Sequence, residues 1–377
     1  MKNQDSTLIE PSPPLFEDRK GGGRSRFGMR TVKGMKQRIG FGALAIAIIL
    51  AAVFADVGIS LRSSESQGPF AELLRRGSIL PIAIWILLLA AVHELNLLFR
   101  AHGAQPHSAL AYVVVSLLAL SPWLSAAGWL GNGPAEVEGL YWQVVWMTAG
   151  VLGACALCVF RGNPSGVARD LGLTVLTIVY LGLLPSFGIQ LRCGRDIPGQ
   201  QGAWLLLIAI LVTKASDIGA YFVGSVFGRH RLIPAISPGK SVEGVIGGIA
   251  FSSLIAMLFA GAGLVLRSWL EPSVNEAAVQ GSLSRSFILL LLDATQTFSR
   301  VVEGQLSPLA RGVIFGACVA TIALFGDLLE SCFKREAGAK DSGGIMPTYG
   351  GILDLIDSPI LVMPVAWFLL TAVWRVI

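Results

Sequence analysis

Carboxylates and cations gather where an apolar run ends. Between Gly326 and Gly344 the chain carries Asp327, Glu330, Lys334, Arg335, Lys340 and Asp341. Spacings of three and four place Asp327, Glu330 and Lys334 on one face of a helix. Lys334, Arg335 and Lys340 form a cationic cluster, and Asp341, Asp354 and Asp357 surround a Gly350–Gly351 turn. Asp354 and Asp357 point the same way if that stretch is helical. Carboxylates, together with water and phosphate oxygens, hold Mg2+, and fixed cations neutralise phosphate charge. The composition fits a metal–phosphate site. An ion path through a transporter draws on the same residue types.

A second polar stretch covers residues 214–248. Lys214, Asp217, Tyr221, Gly224 and Gly228 recur at helical spacing, which puts a cation, a carboxylate, a phenol and two bare backbone positions on one face. A loop follows with Arg229, Arg231 and Lys240, broken by Pro234 and Pro238. Ser237 or Ser241 is suited to cap the next helix. SPGKS has the ending of a Walker A loop, but Pro234 stands where that pattern needs Gly. What remains is a helix N-terminus beside Lys240 and hydroxyls, an arrangement that favours phosphate. A positive-inside loop has the same composition.

These stretches need elements to position them. The 377 residues are 53% hydrophobic and 14% charged, against roughly 25% charge in soluble domains. This implies an integral membrane protein. The apolar runs are continuous rather than alternating, which favours helices over a barrel. The expected fold is all-α and polytopic, with nine spans near 40–58, 78–98, 108–130, 140–160, 170–191, 203–226, 242–266, 308–332 and 358–376. Residues 1–39 are basic and rich in Pro, Gly and Ser, and read as a disordered cytoplasmic tail rather than a nucleic-acid arm. Residues 40–200 then supply the N-terminal transmembrane helices and 201–377 the catalytic transmembrane region. With the tail inside the cell, loops 227–241 and 333–357 both face the cytoplasm. The stretch 287–298 (FILLLLDATQTF) is short for a span and reads as re-entrant or amphipathic. Cys155 and Cys158 form a CxxC with no second pair, so they read as helix packing rather than a zinc site.

Together the two polar stretches resemble the phosphatidate cytidylyltransferase family, the CDP-diacylglycerol synthases. The family pattern near the C-terminus is Ser, two residues, Lys-Arg, four residues, Lys-Asp, a Gly-Pro turn, His-Gly-Gly, then Leu-Asp-Arg, one residue, Asp-Ser. It is matched by Ser331, Lys334, Arg335, Lys340, Asp341, Gly350, Gly351, Asp354, Asp357 and Ser358. The resemblance extends to Ser216, Asp217, Tyr221, Gly228, Ser237, Lys240, Ser241, Glu243 and Gly248. Two positions depart from it: Tyr349 replaces His, and Leu355 replaces Arg.

The resemblance implies that CTP and phosphatidate give CDP-diacylglycerol and pyrophosphate at the cytoplasmic face of a cell membrane. Asp327 and Asp354 would hold Mg2+, with Asp341 or Asp357 nearby and room for a second cation. Lys334, Arg335 and Lys340 would bind the CTP phosphates. Ser216, Asp217, Lys240 and Ser241 would form the facing wall. Tyr221, Ser237, Glu243, Ser331, Gly350, Gly351, Asp357 and Ser358 complete the expected substrate-binding set. CTP, phosphatidate and membrane lipid are the expected partners, nucleic acid is not, and a homodimer is compatible with the sequence. The rival readings are a CTP-dependent lipid kinase of the polyprenol type and a polytopic transporter.

Overall fold

A backbone in hydrocarbon must satisfy its own hydrogen bonds, so long apolar runs become helices. The computed structural model describes residues 46–63, 68–131, 138–162, 164–194, 201–270, 294–299, 301, 306–339, 342–343 and 350–374. The tail 1–39, Lys340, Asp341 and Tyr349 lie outside them. The helices are α1 (46–62), α2 (Pro69–Arg75), α3 (Ile79–Ala101), α4 (Ser108–Ala126), α5 (Glu138–Phe160), α6 (Val167–Ile178) and α7 (Leu184–Cys193). They continue with α8 (Gln201–Phe227), α9 (Val242–Leu270), α10 (294–299), α11 (Pro308–Glu336) and α12 (Leu353–Trp367).

Among the described residues, eight helical segments are long and apolar enough to cross a membrane, counting α6–α7 as one. They overlap eight of the nine expected spans, and α1 overlaps the remaining one. The protein is an integral membrane protein built from helices. One span differs usefully: α12 begins at Leu353 rather than near 358, so Asp354 and Asp357 are helical. Of the 287–298 stretch, the described part is α10, whose Phe298 is buried edge-on against Phe315 of α11.

Two local features break the helical pattern. A π-helical turn, Val179–Leu183, joins α6 to α7. Pro185 explains it, because proline has no N–H to donate and its ring clashes with the carbonyl four residues back. One extra residue in the turn relieves that clash. The loop after α8 forms an antiparallel hairpin, β1 (Arg231–Ile233) with β2 (Ser237–Ser241). Pro238 is tolerated in it because a two-stranded hairpin consists of edges only.

Two cores fill the helical assembly. One surrounds α8, with Trp204, Phe298, Phe315, Val319 and Met363. The other joins α3, α4 and α7 through Leu95, Leu118, Tyr180, Phe333 and Leu353. Helices α11 and α12 contribute to both cores. They meet at Gly326, where a Cβ would stand 2.6 Å from the Asp357 carbonyl oxygen and 3.0 Å from the Ser358 Cα. The bare position lets the backbones touch beside Asp327 and Asp357. Helices α8 and α9 meet in the same manner: a Cβ on Gly244 would lie 2.9 Å from the Ala220 carbonyl oxygen, and one on Gly248 2.9 Å from that of Ser216.

At the opposite end of α3 from Ala101, Asp56 of α1 ties three helices together. It accepts backbone N–H bonds from Ser78 at 2.8 Å, Ile79 at 2.8 Å and Leu80 at 3.2 Å, which caps α3. Its other oxygen pairs with Arg192 of α7 at 2.6 Å, and both side chains are buried. Asp56→Ala should therefore strand the Arg192 charge and cost roughly 3–5 kcal/mol. Thermal unfolding in detergent checks this, and an unchanged midpoint would count against it.

Candidate functional site

The site lies where the N-terminal turns of α12 meet the C-terminal half of α11 and the hairpin. Helix α11 presents Asp327, Glu330 and Lys334 on one face, as their spacing requires. Asp357 joins them from α12. One carboxylate oxygen each of Asp327, Glu330 and Asp357 lies within 4.8 Å of the others. Lys240, carried on β2, pairs with Asp327 at 2.7 Å. Lys334 contacts the Glu330 carboxylate and pairs with Asp354 at 2.6 Å. Four carboxyl groups thus face two ammonium groups, with Glu330 and Asp357 buried. Glu330 has no exposed surface, and its carboxylate is ion-paired with the Lys334 ammonium. Three clustered carboxylates form a donor set suited to a hard divalent cation.

Asp354 occupies a different environment. Beside Lys334 it accepts hydrogen bonds from the Ser342 hydroxyl at 2.7 Å, the Ser342 N–H at 3.1 Å and the Gly351 N–H at 2.8 Å. It fixes Lys334 and closes the turn before α12. Glu94 of α3 completes that turn. Its carboxylate accepts the N–H groups of Ile352 at 2.9 Å and Leu353 at 2.8 Å, and the Ser342 hydroxyl at 3.3 Å. Backbone N–H groups at a helix start have no partner within the helix, and here a neighbouring helix supplies one. The glycines of the turn follow from this crowding. Gly350 has φ +87°, and a Cβ on Gly351 would come within 2.9 Å of the Glu94 Cδ.

The facing wall is α8 with the hairpin. Lys214 pairs with Asp217 at 3.2 Å and donates to the Leu355 carbonyl oxygen at 3.3 Å. A cation from α8 therefore stands beside Leu355, the position at which the sequence pattern lacks Arg. Ser241 caps α9 by accepting the Gly244 N–H at 3.1 Å. Glu243 accepts the backbone N–H of Arg229 at 3.0 Å and meets the His230 Nδ1 at 2.6 Å, which anchors the segment leading into the hairpin. Arg335 donates to the Ile236 carbonyl oxygen at 3.3 Å and so holds the hairpin tip.

Of the residues singled out from sequence, Asp327, Lys240, Lys334, Asp354 and Asp357 come together, with Gly350, Gly351 and Ser358 around them. The Ser358 N–H donates to Asp357 at 2.6 Å. Asp217 stands on the α8 wall. Ser216 lies in the α8–α9 seam, Ser331 is buried in α11, and Ser237 opens β2. Tyr221 is 62% exposed and edge-on to Phe222. Lys340 and Asp341 fall outside the described residues. Sequence reasoning gave no role to Glu94 and placed Glu330 on the active face without making it a ligand. A lone carboxylate in the apolar run of α3 was the available signal.

A family model described as the cytidylyltransferase family matches residues 69–373. The chain is 33% identical to a phosphatidate cytidylyltransferase of Bacillus subtilis over 201 residues, 53% of this chain and 58% of that protein. It is 36% identical to one of Haemophilus influenzae over 163 residues, 43% and 44% of the two chains. It is 34% identical to the chloroplastic phosphatidate cytidylyltransferase 5 of Arabidopsis thaliana over 235 residues, 57% and 48% of the two. The chain spans about half the length of the curated relatives it matches.

Removing the cap supplied by Glu94 should loosen the start of α12. Loss of hydrogen bonds to a charged group costs roughly 1.5–3 kcal/mol. Glu94→Ala should accordingly speed amide hydrogen exchange at Ile352 and Leu353 by about one to two powers of ten. Exchange measured in detergent at the wild-type rate would refute the capping role.

Proposed function

The chain belongs to the cytidylyltransferase family, and from that premise we propose that it transfers the cytidylyl group of CTP to phosphatidate, giving CDP-diacylglycerol and pyrophosphate. The observation that carries this reading is the convergence of Asp327, Glu330 and Asp357 with Lys240 and Lys334 at one end of membrane-crossing helices. The transfer joins two anions. An oxygen of the phosphatidate phosphate bonds to the α-phosphorus of CTP while the bond to pyrophosphate breaks. That oxygen is already largely anionic near neutral pH, so no strong base is required. The difficulty is electrostatic repulsion.

Asp327, Glu330 and Asp357 would hold Mg2+, which their clustered carboxylate oxygens suit. Bound there, Mg2+ would supply positive charge that lowers the repulsion between the two substrates. Asp327 was expected as a ligand from sequence; Asp357 and Glu330 replace Asp354 as its companions, because Asp354 is taken up by Lys334, Ser342 and Gly351. Lys334 and Lys240 would face the triphosphate, with Arg335 keeping the hairpin against α11. Lys214 would supply the charge that Leu355 lacks. The acyl chains would stay in the bilayer, and the acid cluster, toward one end of α11, would meet the headgroup. Soluble CTP then enters from the cytoplasmic side.

Asp327→Asn and Lys334→Met should each lower formation of labelled lipid from cytidine-labelled CTP about 100-fold or more, the scale for losing one group that stabilises transition-state charge. Membrane insertion should be unchanged. Either variant retaining wild-type turnover would overturn the assignment, and release of CDP in place of pyrophosphate would mark a lipid kinase.

A further inference from the structure

Tyr180 sits in the π-helical turn Val179–Leu183, and its side chain is 1% exposed. Its hydroxyl has no hydrogen-bond partner among the described residues. A buried hydroxyl without a partner is unfavourable and rare. The ring is held on one side by Phe333 of α11, edge-on at 5.8 Å. Phe333 is in turn edge-on to Phe99 of α3 at 5.8 Å. Phe333 follows Glu330 by three residues and precedes Lys334, so the stack fixes the phenol beside the acid face of α11. The carboxylates of Asp357, Glu330 and Asp327 all act electrostatically on the hydroxyl.

An unpartnered donor on Tyr180 therefore packs against the helix that carries the buried carboxylate of Glu330. A buried phenol with no partner among the described residues, stacked on the helix that carries Asp327 and Glu330, is placed to donate to what the carboxylates hold. The π turn makes this placement available, since one extra residue rotates the positions before it relative to α7. π-Helical insertions of this type recur at functional sites.

We propose that Tyr180 is a positioning residue of the acid site, donating its hydroxyl hydrogen to an oxygen in the shell of the cation held by Asp327, Glu330 and Asp357. The acceptor is a water bound to the cation, since the hydroxyl makes no hydrogen bond to the three carboxylates themselves. The role rests on the reading of the trio as a cation site. Groups that orient first-shell ligands typically change metal affinity about 10–100-fold when removed. Tyr180→Phe keeps the ring against Phe333 and deletes the donor alone.

The test is Mn2+ binding to the full-length protein in detergent, followed by electron paramagnetic resonance, for wild type, Tyr180→Phe and Glu330→Gln. The expected result is saturable binding by wild type, roughly tenfold weaker binding by Tyr180→Phe and severe loss in Glu330→Gln. Wild-type affinity in Tyr180→Phe, with Glu330→Gln impaired, overturns the role of Tyr180 and leaves the cation site standing. No binding by wild type, or none lost in Glu330→Gln, overturns both. If the Phe variant does not fold, 3-fluorotyrosine at position 180 reports on the native side chain: a fluorine resonance shifted by Mg2+ supports the proposal, and an unmoved one overturns it.

Discussion

One ammonium group holds the site together. Lys334 is shared by Glu330 on its own helix and Asp354 on α12, so the charge of α11 is bound to the first turn of its neighbour. Burying a lysine is costly unless its partners are fixed, and both partners are. Asp354 is held by Ser342 and Gly351, and Glu330 is enclosed within the protein. The contact is feasible because Gly326 lets α11 and α12 meet backbone to backbone. Lose the glycine, the turn or the cap from Glu94, and the carboxylates of the two helices no longer face one another.

Much of this was legible in the sequence, for physical reasons. Continuous apolar runs dictate helices, and spacings of three and four put Asp327, Glu330 and Lys334 on one face without any knowledge of the fold. Ser241 reads as a helix cap and is one. Gly350 and Gly351 read as a turn, and the positive φ of Gly350 and the crowding at Gly351 account for both. What spacing could not give was the rotation of α12 about its axis. That rotation sends Asp354 to Lys334 and Asp357 to the acid trio, although the two are three residues apart. The contribution of α3 was hidden for a different reason: Glu94 is more than two hundred residues away in sequence, and only packing brings it to α12. Tyr180 was concealed by the π turn, which shifts the register that a regular helix would impose.

The second stretch divides into two kinds of residue. Lys214 and Lys240 reach the site from α8 and from the hairpin. Ser216, Ser241, Glu243 and Gly248 instead build the scaffold that delivers them, through the α8–α9 seam and the anchored hairpin. A motif recognised by its pattern thus mixes groups that can meet a substrate with groups that shape the backbone. Only geometry separates them. The proposed chemistry asks little more of the protein than this: fixed charges toward one end of membrane-crossing helices.

The most direct test of that account is the phosphorus NMR spectrum of purified protein incubated with phosphatidate, CTP and Mg2+ in detergent. The account predicts that CDP-diacylglycerol and pyrophosphate appear together in equal amounts, and that EDTA stops both. Well-folded protein that consumes neither substrate, or that converts them with Mg2+ removed, would contradict it.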